Sequence, residues 1–383
     1  MKTIYMDNAA TSYPKPESVY QAIDYFNRHL GGNPGRGSHK RTLQAGTVLL
    51  DAREALAGLF NIKDCGRIAF TLNITESLNL ALKGLLNPGD HVLTTSMEHN
   101  AVARPLHAMS QQGITWTAVP CAPDGSLDPD DMRRAIRPQT RLICMLHASN
   151  VSGAIMPVNE VGQIARENDL LFILDSAQSA GMIPIDVDAQ NIDVLAFTGH
   201  KSLFGPQGTG GLYIRPGIKV RPLKEGGTGS LSEYLEQPEV MPDSLESGTP
   251  NTPGLAGLLA GVRFIGETGL DLIRSQEQAL TGMLIDGLKG IKTVKLYGPV
   301  DEKKQTAVLS FNIGDMDCGE VSYLLDNDFG VVTRAGLHCA PLAHRTLGTL
   351  EVGSCRLSPG FFNTREDVEQ VVKAVFELAH RRL

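Results

Sequence analysis

Between residues 67 and 214 short runs rich in β-branched residues alternate with longer amphipathic stretches. Residues 67–71, 91–96, 115–121, 141–149, 170–175, 193–198 and 208–214 read as strands. Residues 76–85, 101–112, 129–136 and 158–168 carry apolar positions at three- and four-residue spacing and read as helices. Asp128 before Pro129 and Pro157 before Val158 mark two helix starts. Strand–helix alternation predicts an α/β fold with a mostly parallel seven-stranded sheet covered on both faces. Ligands of such sheets bind beyond the carboxyl ends of the strands. Residues 224–253, rich in Gly, Ser, Pro and Glu, break the pattern and read as a long functional loop, too polar to pack within its own domain. Helices follow at 255–266, 270–288, 318–327 and 365–381, with strands at 294–297, 307–313, 330–334 and 354–357. That order predicts a smaller α+β domain. The expected division is a large domain over 15–254 and a small one over 1–14 plus 255–383.

Composition narrows the class. At about 150 residues per domain, 383 residues give two to three domains. With 42% hydrophobic and 20% charged residues the chain reads as an ordinary globular protein, not a disordered one. No stretch approaches 18 consecutive apolar residues, which reads against a membrane partner. A net charge of −7 disfavours a nucleic-acid partner. The first residues, Met1 to Asp7, reach an acid without an apolar run, unlike a signal peptide. Six cysteines without a C-x-x-C pair argue against a zinc ribbon or a thioredoxin-type site, and no metal is expected. They suggest reduced thiols and a cytoplasmic setting.

Two strand ends carry chemistry that a buried strand would avoid. Leu171-Phe172-Ile173-Leu174-Asp175-Ser176-Ala177-Gln178 closes an apolar run with a carboxylate. Ala196-Phe197-Thr198-Gly199-His200-Lys201 places a hydroxyl, an imidazole and an amine at the next such edge. Taken singly, Lys201 could be a surface lysine and Asp175 a helix cap. Together they suit pyridoxal 5'-phosphate: a lysine to carry it, a carboxylate for its pyridine nitrogen, and Gln178, Thr198 and His200 around it. Its phosphate needs a helix N-terminus, which the turn before Ile74 and Thr75 supplies. His99 follows a third strand and can stack on a planar ring. Asn150 follows a fourth and can meet the cofactor's phenolic oxygen or the substrate.

These motifs resemble the class V aminotransferase group of pyridoxal-phosphate enzymes, and within it cysteine desulfurases and selenocysteine lyases. The likeness runs through Tyr5-Met6-Asp7-Asn8-Ala9-Ala10-Thr11, the loop from Asn33 to His39, Ser96-Met97-Glu98-His99-Asn100 and Ser247-Gly248-Thr249-Pro250. It is most specific at Thr333-Arg334-Ala335-Gly336-Leu337-His338-Cys339-Ala340-Pro341, which is similar to the family's R-x-G-x-x-C-A context. The short Cys-Ala-Pro form is like that of group II members. Asn73 stands where the family commonly has glycine, and Thr198 where it has serine.

The resemblance implies a type I pyridoxal-phosphate transferase fold and a homodimer in which Thr249 reaches the neighbouring subunit's phosphate. It implies L-cysteine as substrate, Cys339 as nucleophile, Lys201 as cofactor lysine and proton carrier, and His99 beside the ring. Arg356 would grip the substrate carboxylate, with Arg334 either touching substrate or bracing the loop. His338 or His99 could take the thiol proton. A sulfur-acceptor protein is a further possible partner. Selenocysteine lyase, acting on L-selenocysteine, uses the same residues. A C–S lyase, a transaminase or an epimerase would keep Lys201 and Asp175 and need no Cys339. An idle sulfur-relay protein would need neither Lys201 nor Asp175.

Overall fold

The structure, a computed structural model, describes residues 2–35 and 37–381. Met1 at the start, and Arg36 within the loop compared above, lie outside the described residues. Thirteen strands are described: β1 (Ile4–Tyr5), β2 (Ile68–Thr71), β3 (His91–Thr95), β4 (Thr115–Val119), β5 (Thr140–Leu146), β6 (Leu171–Asp175), β7 (Val194–Thr198), β8 (Gly210–Ile214), β9 (Val294–Tyr297), β10 (Leu309–Ile313), β11 (Val331–Val332), β12 (Arg334–Gly336) and β13 (Ser354–Leu357).

The large sheet has the order β2-β8-β7-β6-β5-β3-β4, and only β8 runs against the rest. Its strands are apolar on both faces because helices cover both. Phe172, Leu174, Leu195 and Phe197 point into one core, beneath the helices Lys40–Leu59, Val158–Glu167 and Thr252–Thr268. Ile173, Val194 and Ala196 point into the other, beneath Ile74–Leu85 and Asn100–Ser110. The side-chain period of two assigns alternate residues of each strand to opposite cores.

The smaller layer is an antiparallel sheet, β12-β13-β10-β9, packed on the helices Leu270–Lys289, Cys318–Phe329 and Arg365–His380. The run expected as one strand over 330–334 is two short ones. Its first half pairs with β1 and its second half with β13, so the chain changes sheets at Thr333. The helix Thr252–Thr268 packs on Glu17–Tyr25 and Lys40–Leu59, within the large core. The helix thus shares the large core, whereas the expected division at residue 254 assigns most of it to the small domain.

The segment after Lys224 has no helix or strand as far as Thr252, as expected of a loop. Most of residues 224–240 is exposed, but the part around Leu245 and Glu246 packs within its own domain, contrary to the reading from polarity. Arg53 Nη2 meets both Glu246 oxygens at 2.6 Å, Glu246 Oε1 accepts from the Phe70 amide at 2.7 Å, and Leu245 is buried.

Candidate active site

Six strands end at one edge of the large sheet, and the predicted groups gather there, after β2, β3, β5, β6 and β7. Thr71 at the end of β2 and Thr198 at the end of β7 both lie opposite Gly210 of β8. A Cβ on Gly210 would sit 2.8 Å from Asn73 Cα, so the missing side chain lets the turn 72–74 fold against β8. Asn73 caps the helix Ile74–Leu85 through Oδ1, which accepts from the Glu76 amide at 3.0 Å. Glu76 Oε2 accepts from the Leu72 amide, one residue before the cap, at 2.7 Å. That leaves the first helical amides, Ile74 and Thr75, for an anion. Across β8, Thr198 Oγ1 and His200 Nδ1 are buried with no hydrogen-bond partner among the described residues.

Lys201 follows directly, and burial pushes its amine down to about 8, with Arg356 and Arg334 adding to the effect and Asp175 opposing it. Asp175 is buried at the end of β6. Burial raises its carboxyl, while the Ala177 amide, 2.9 Å from Oδ1, and Lys201 pull the other way. His99 caps the helix Asn100–Ser110, with Nδ1 accepting from the Ala101 amide at 3.0 Å. Its neutral tautomer therefore carries the proton on Nε2. Burial, then the charges of Lys201 and Arg334, hold it down to about 4, so it is neutral at pH 7. With Nδ1 engaged by the Ala101 amide, neutral His99 has no free acceptor nitrogen for a thiol proton.

A clamp around Lys201 escaped the sequence reading. The His200 carbonyl accepts from the Ser12 amide at 3.0 Å, Thr11 Oγ1 at 3.0 Å and Lys15 Nζ at 2.8 Å. Ser12 Oγ donates to the Lys201 carbonyl at 2.9 Å, and Gln178 Nε2 to the Ala9 carbonyl at 3.0 Å. The motif from Asp7 to Thr11 was visible in the sequence, but not its bond partners.

The cysteine loop faces this edge from the small domain. Cys339 is exposed, and Arg334 Nη2 lies 3.7 Å from its sulfur. His338 and Cys339 both hold left-handed backbone, at φ 50° and 57°. Two such non-glycine residues in a row cost about 1–3 kcal/mol each and persist only where the surroundings hold them. Asn150 Nδ2 donates to the His338 carbonyl and the Asn100 amide to the Cys339 carbonyl, both at 2.8 Å. One proton of the Asn150 amide is thus spent on the loop. Arg356 is wholly buried. Its Nη1 donates to the Asn150 carbonyl at 2.9 Å and its Nη2 to Asp7 Oδ1 at 2.5 Å, while Nε is buried without a partner among the described residues.

Two expectations meet a different geometry. Both ring nitrogens of His338 are engaged away from the sulfur, Nε2 with the Arg334 carbonyl and Nδ1 with His344, each at 3.2 Å. Like His99, His338 has no free nitrogen for the thiol proton. Thr249 is exposed and lines a cavity of about 280 Å³ with Arg53, Thr71, Leu72 and Gly208; no bond joins it to Thr198, His200 or Lys201 of its own chain.

The donor set suits pyridoxal 5'-phosphate: helix amides and orphaned buried donors for its phosphate, a buried carboxylate and a depressed lysine for its ring and aldehyde. No cluster of metal ligands occurs among the described residues.

Fold and site define a pyridoxal-phosphate enzyme of type I architecture, and the comparisons agree. The chain belongs to the aminotransferase class-V family, whose model matches residues 4–371. A probable cysteine desulfurase of Methanothermobacter thermautotrophicus is 33% identical, covering 98% of this chain and 94% of its own length. A cysteine desulfurase of Serratia proteamaculans is also 33% identical, covering 96% of this chain and 91% of its own. Among solved structures, an apo cysteine desulfurase of Thermococcus onnurineus superposes with a TM-score of 0.93 at 34% identity, covering 100% of this chain and 95% of the other. An Escherichia coli cysteine desulfurase, crystallised as an S-sulfonic acid, gives 0.88 at 28% identity with the same coverage.

Proposed function

We propose that this protein is a cysteine desulfurase: L-cysteine is converted to L-alanine and its sulfur is left on Cys339 as a persulfide. The observation that carries this reading is the exposed Cys339 thiol, held on a left-handed turn beside Arg334 and tied to Asn100 and Asn150 at the edge that bears Lys201. Pyridoxal 5'-phosphate, when bound, supplies an electron sink for the bonds at the substrate's Cα. Lys201 would carry it, with Ile74, Thr75, Thr198 and His200 around its phosphate and Asp175 and Gln178 around its ring. His99, neutral and rigid, packs as a flat partner. Lys201 Nζ, held near 8 by burial, can take and return a proton at Cα close to neutral pH. Arg356 Nε, buried and without a partner among the described residues, would donate to the substrate carboxylate. The Cys339 sulfur bonds to the substrate sulfur as the Cβ–S bond breaks, so cysteine plus thiol becomes alanine plus persulfide.

The reading extends to a homodimer. Thr249 is exposed in its own chain, and Leu43, Leu72 and Leu235 are exposed apolar residues that a second copy can cover. A cofactor-saturated monomer in sedimentation would refute the dimer. The sulfur acceptor would be a protein or small thiol meeting Cys339 from solvent. A reducing cytoplasm fits six cysteines that are all unpaired. No helix among the described residues is long and apolar enough to cross a membrane.

Cys339→Ala tests the assignment. The visible spectrum should still shift on adding L-cysteine, while sulfur transfer falls by orders of magnitude. Near-normal turnover by this variant would move the protein to the C–S lyases. Retained selenide release from L-selenocysteine, with sulfur transfer lost, leaves the desulfurase reading in place.

A further inference from the structure

His338 leads into a chain of hydrogen bonds that runs away from the sulfur. Its Nε2 faces the Arg334 carbonyl at 3.2 Å, its Nδ1 faces His344 Nε2 at 3.2 Å, and His344 Nδ1 faces Thr349 Oγ1 at 2.7 Å. The two rings lie nearly in one plane, with centroids 5.4 Å apart and planes 10° apart, as an in-plane N–H···N bond requires. A carbonyl can only accept, so His338 Nε2 must hold the proton. Its Nδ1 is then bare and must accept from His344 Nε2–H. His344 Nδ1 is bare in turn and accepts from the Thr349 hydroxyl. With both rings neutral, one arrangement of protons satisfies every member. Burial keeps them neutral, pushing the His338 imidazole down to about 3 and that of His344 to about 4.

We propose that His344, backed by Thr349, is a positioning residue for the sulfur-accepting cysteine. It fixes the tautomer and orientation of His338, and His338 fixes the left-handed turn that aims Cys339. The proposal rests on Cys339 being the sulfur acceptor. His344 lies on the short helix Pro341–Thr346, and its ring bonds to His338 and Thr349, not to Lys201, Asp175 or His99. Its effect should therefore be confined to the cysteine arm of the site.

The experiment compares His344→Phe, which keeps ring bulk without a donor, with His344→Gln, whose Nε2 can still donate to His338. In the cofactor-loaded enzyme, His344→Phe should lower kcat for sulfur transfer by about 10- to 100-fold, the scale for misplacing a reacting group by an ångström. KM for L-cysteine and the spectral shift on substrate addition should stay as in the wild type. His344→Gln should remain within about threefold of the wild type because the donor is kept. Alkylation of Cys339 by iodoacetamide gives a second readout: its rate should change in His344→Phe and not in His344→Gln. Equal damage in both variants, or none in either, overturns the proposal. Should His344→Phe fail to fold, Thr349→Val carries the test, with a several-fold fall in kcat expected and an unchanged kcat overturning it. Cys339→Ala separates the two questions. Retained sulfur transfer there defeats the acceptor reading itself, whereas its loss alongside an indifferent His344→Phe defeats only the positioning role.

Discussion

Replacing Arg356 by Gln removes the proposed carboxylate donor, and the structure gives two separable costs. The first is stability. Arg356 pairs with Asp7 at 2.5 Å, with side-chain exposures of 1% and 17%. Removing one partner of a buried pair costs about 3–5 kcal/mol. Asp7 keeps some contact with water, so the lower end applies. Adding Asp7→Asn removes the stranded charge and should recover most of that loss. The second cost is affinity. A hydrogen bond to a charged group contributes about 1.5–3 kcal/mol, which is roughly a 10- to 150-fold rise in KM for L-cysteine. Cysteamine, which has the amine and thiol without the carboxylate, tells the two apart as a competitive ligand. Its inhibition constant should hardly change in the double variant Asp7→Asn/Arg356→Gln, while KM for L-cysteine stays raised. If both ligands weaken equally, or neither does, Arg356 does not hold the carboxylate and acts only through Asp7 and Asn150.

Three further outcomes are expected. Borohydride reduction of the holoenzyme followed by peptide mapping should label Lys201, and a label on another lysine defeats that assignment. Gly210→Ala should push the Asn73 turn away from β8 and weaken cofactor binding by at least about tenfold, roughly 1.4 kcal/mol, in a fluorescence titration; an unchanged Kd would show that the turn does not hold the phosphate. Glu98 is wholly buried, its Oε2 is unpartnered among the described residues, and burial pushes its carboxyl up to about 8. A carboxyl raised in the fold binds its proton more tightly folded than unfolded, so its contribution is present below its unfolded value and is lost as pH rises towards 8. Glu98→Gln removes that loss, so the variant should gain about 2 kcal/mol on wild type between pH 6 and pH 8 in urea unfolding. A pH-independent difference between the two would show that Glu98 does not titrate in this range.

The alternating segments and strand-end chemistry were legible because a polar residue closing an apolar run is a local signal. Asp175, Thr198 and Lys201 stand at the ends of strands whose interiors are wholly apolar. The long helix Lys40–Leu59 was not read. Leu43 and Leu50 face solvent while Ala45, Ala52 and Ala57 are buried, which blurs the apolar period. The core that the helix Thr252–Thr268 joins was not legible for another reason. Periodicity shows that 252–268 has an apolar face and not which core that face meets. The clamp formed by Ser12 and Lys15, and the role of His344, rest on contacts between distant segments, several of them with backbone carbonyls. Such acceptors leave no mark in residue type. The retreat of His338 from the sulfur is of the same kind, since only the fold shows where each ring nitrogen points.

The two side chains proposed to react are each held by the other part of the molecule. Cys339 belongs to the small-domain loop, yet its carbonyl is bound by the Asn100 amide and its neighbour's by Asn150, both at strand ends of the large sheet. Lys201 belongs to the large sheet, yet it and His200 are held by Thr11, Ser12 and Lys15, in the segment that enters the small domain through β1. Arg356 closes the circuit, linking β13 to Asn150 on one side and to Asp7 on the other. Neither reactive group can be displaced without straining bonds in both domains. The proposed transfer would require Sγ and a substrate held at Lys201 to approach within bonding reach, and loss of an ångström there costs about a hundredfold in rate. Reciprocal bracing answers that requirement in a site assembled from two separate cores. The segment from Asp7 to Thr11 bonds to both, to Arg356 through Asp7 and to His200 through Thr11.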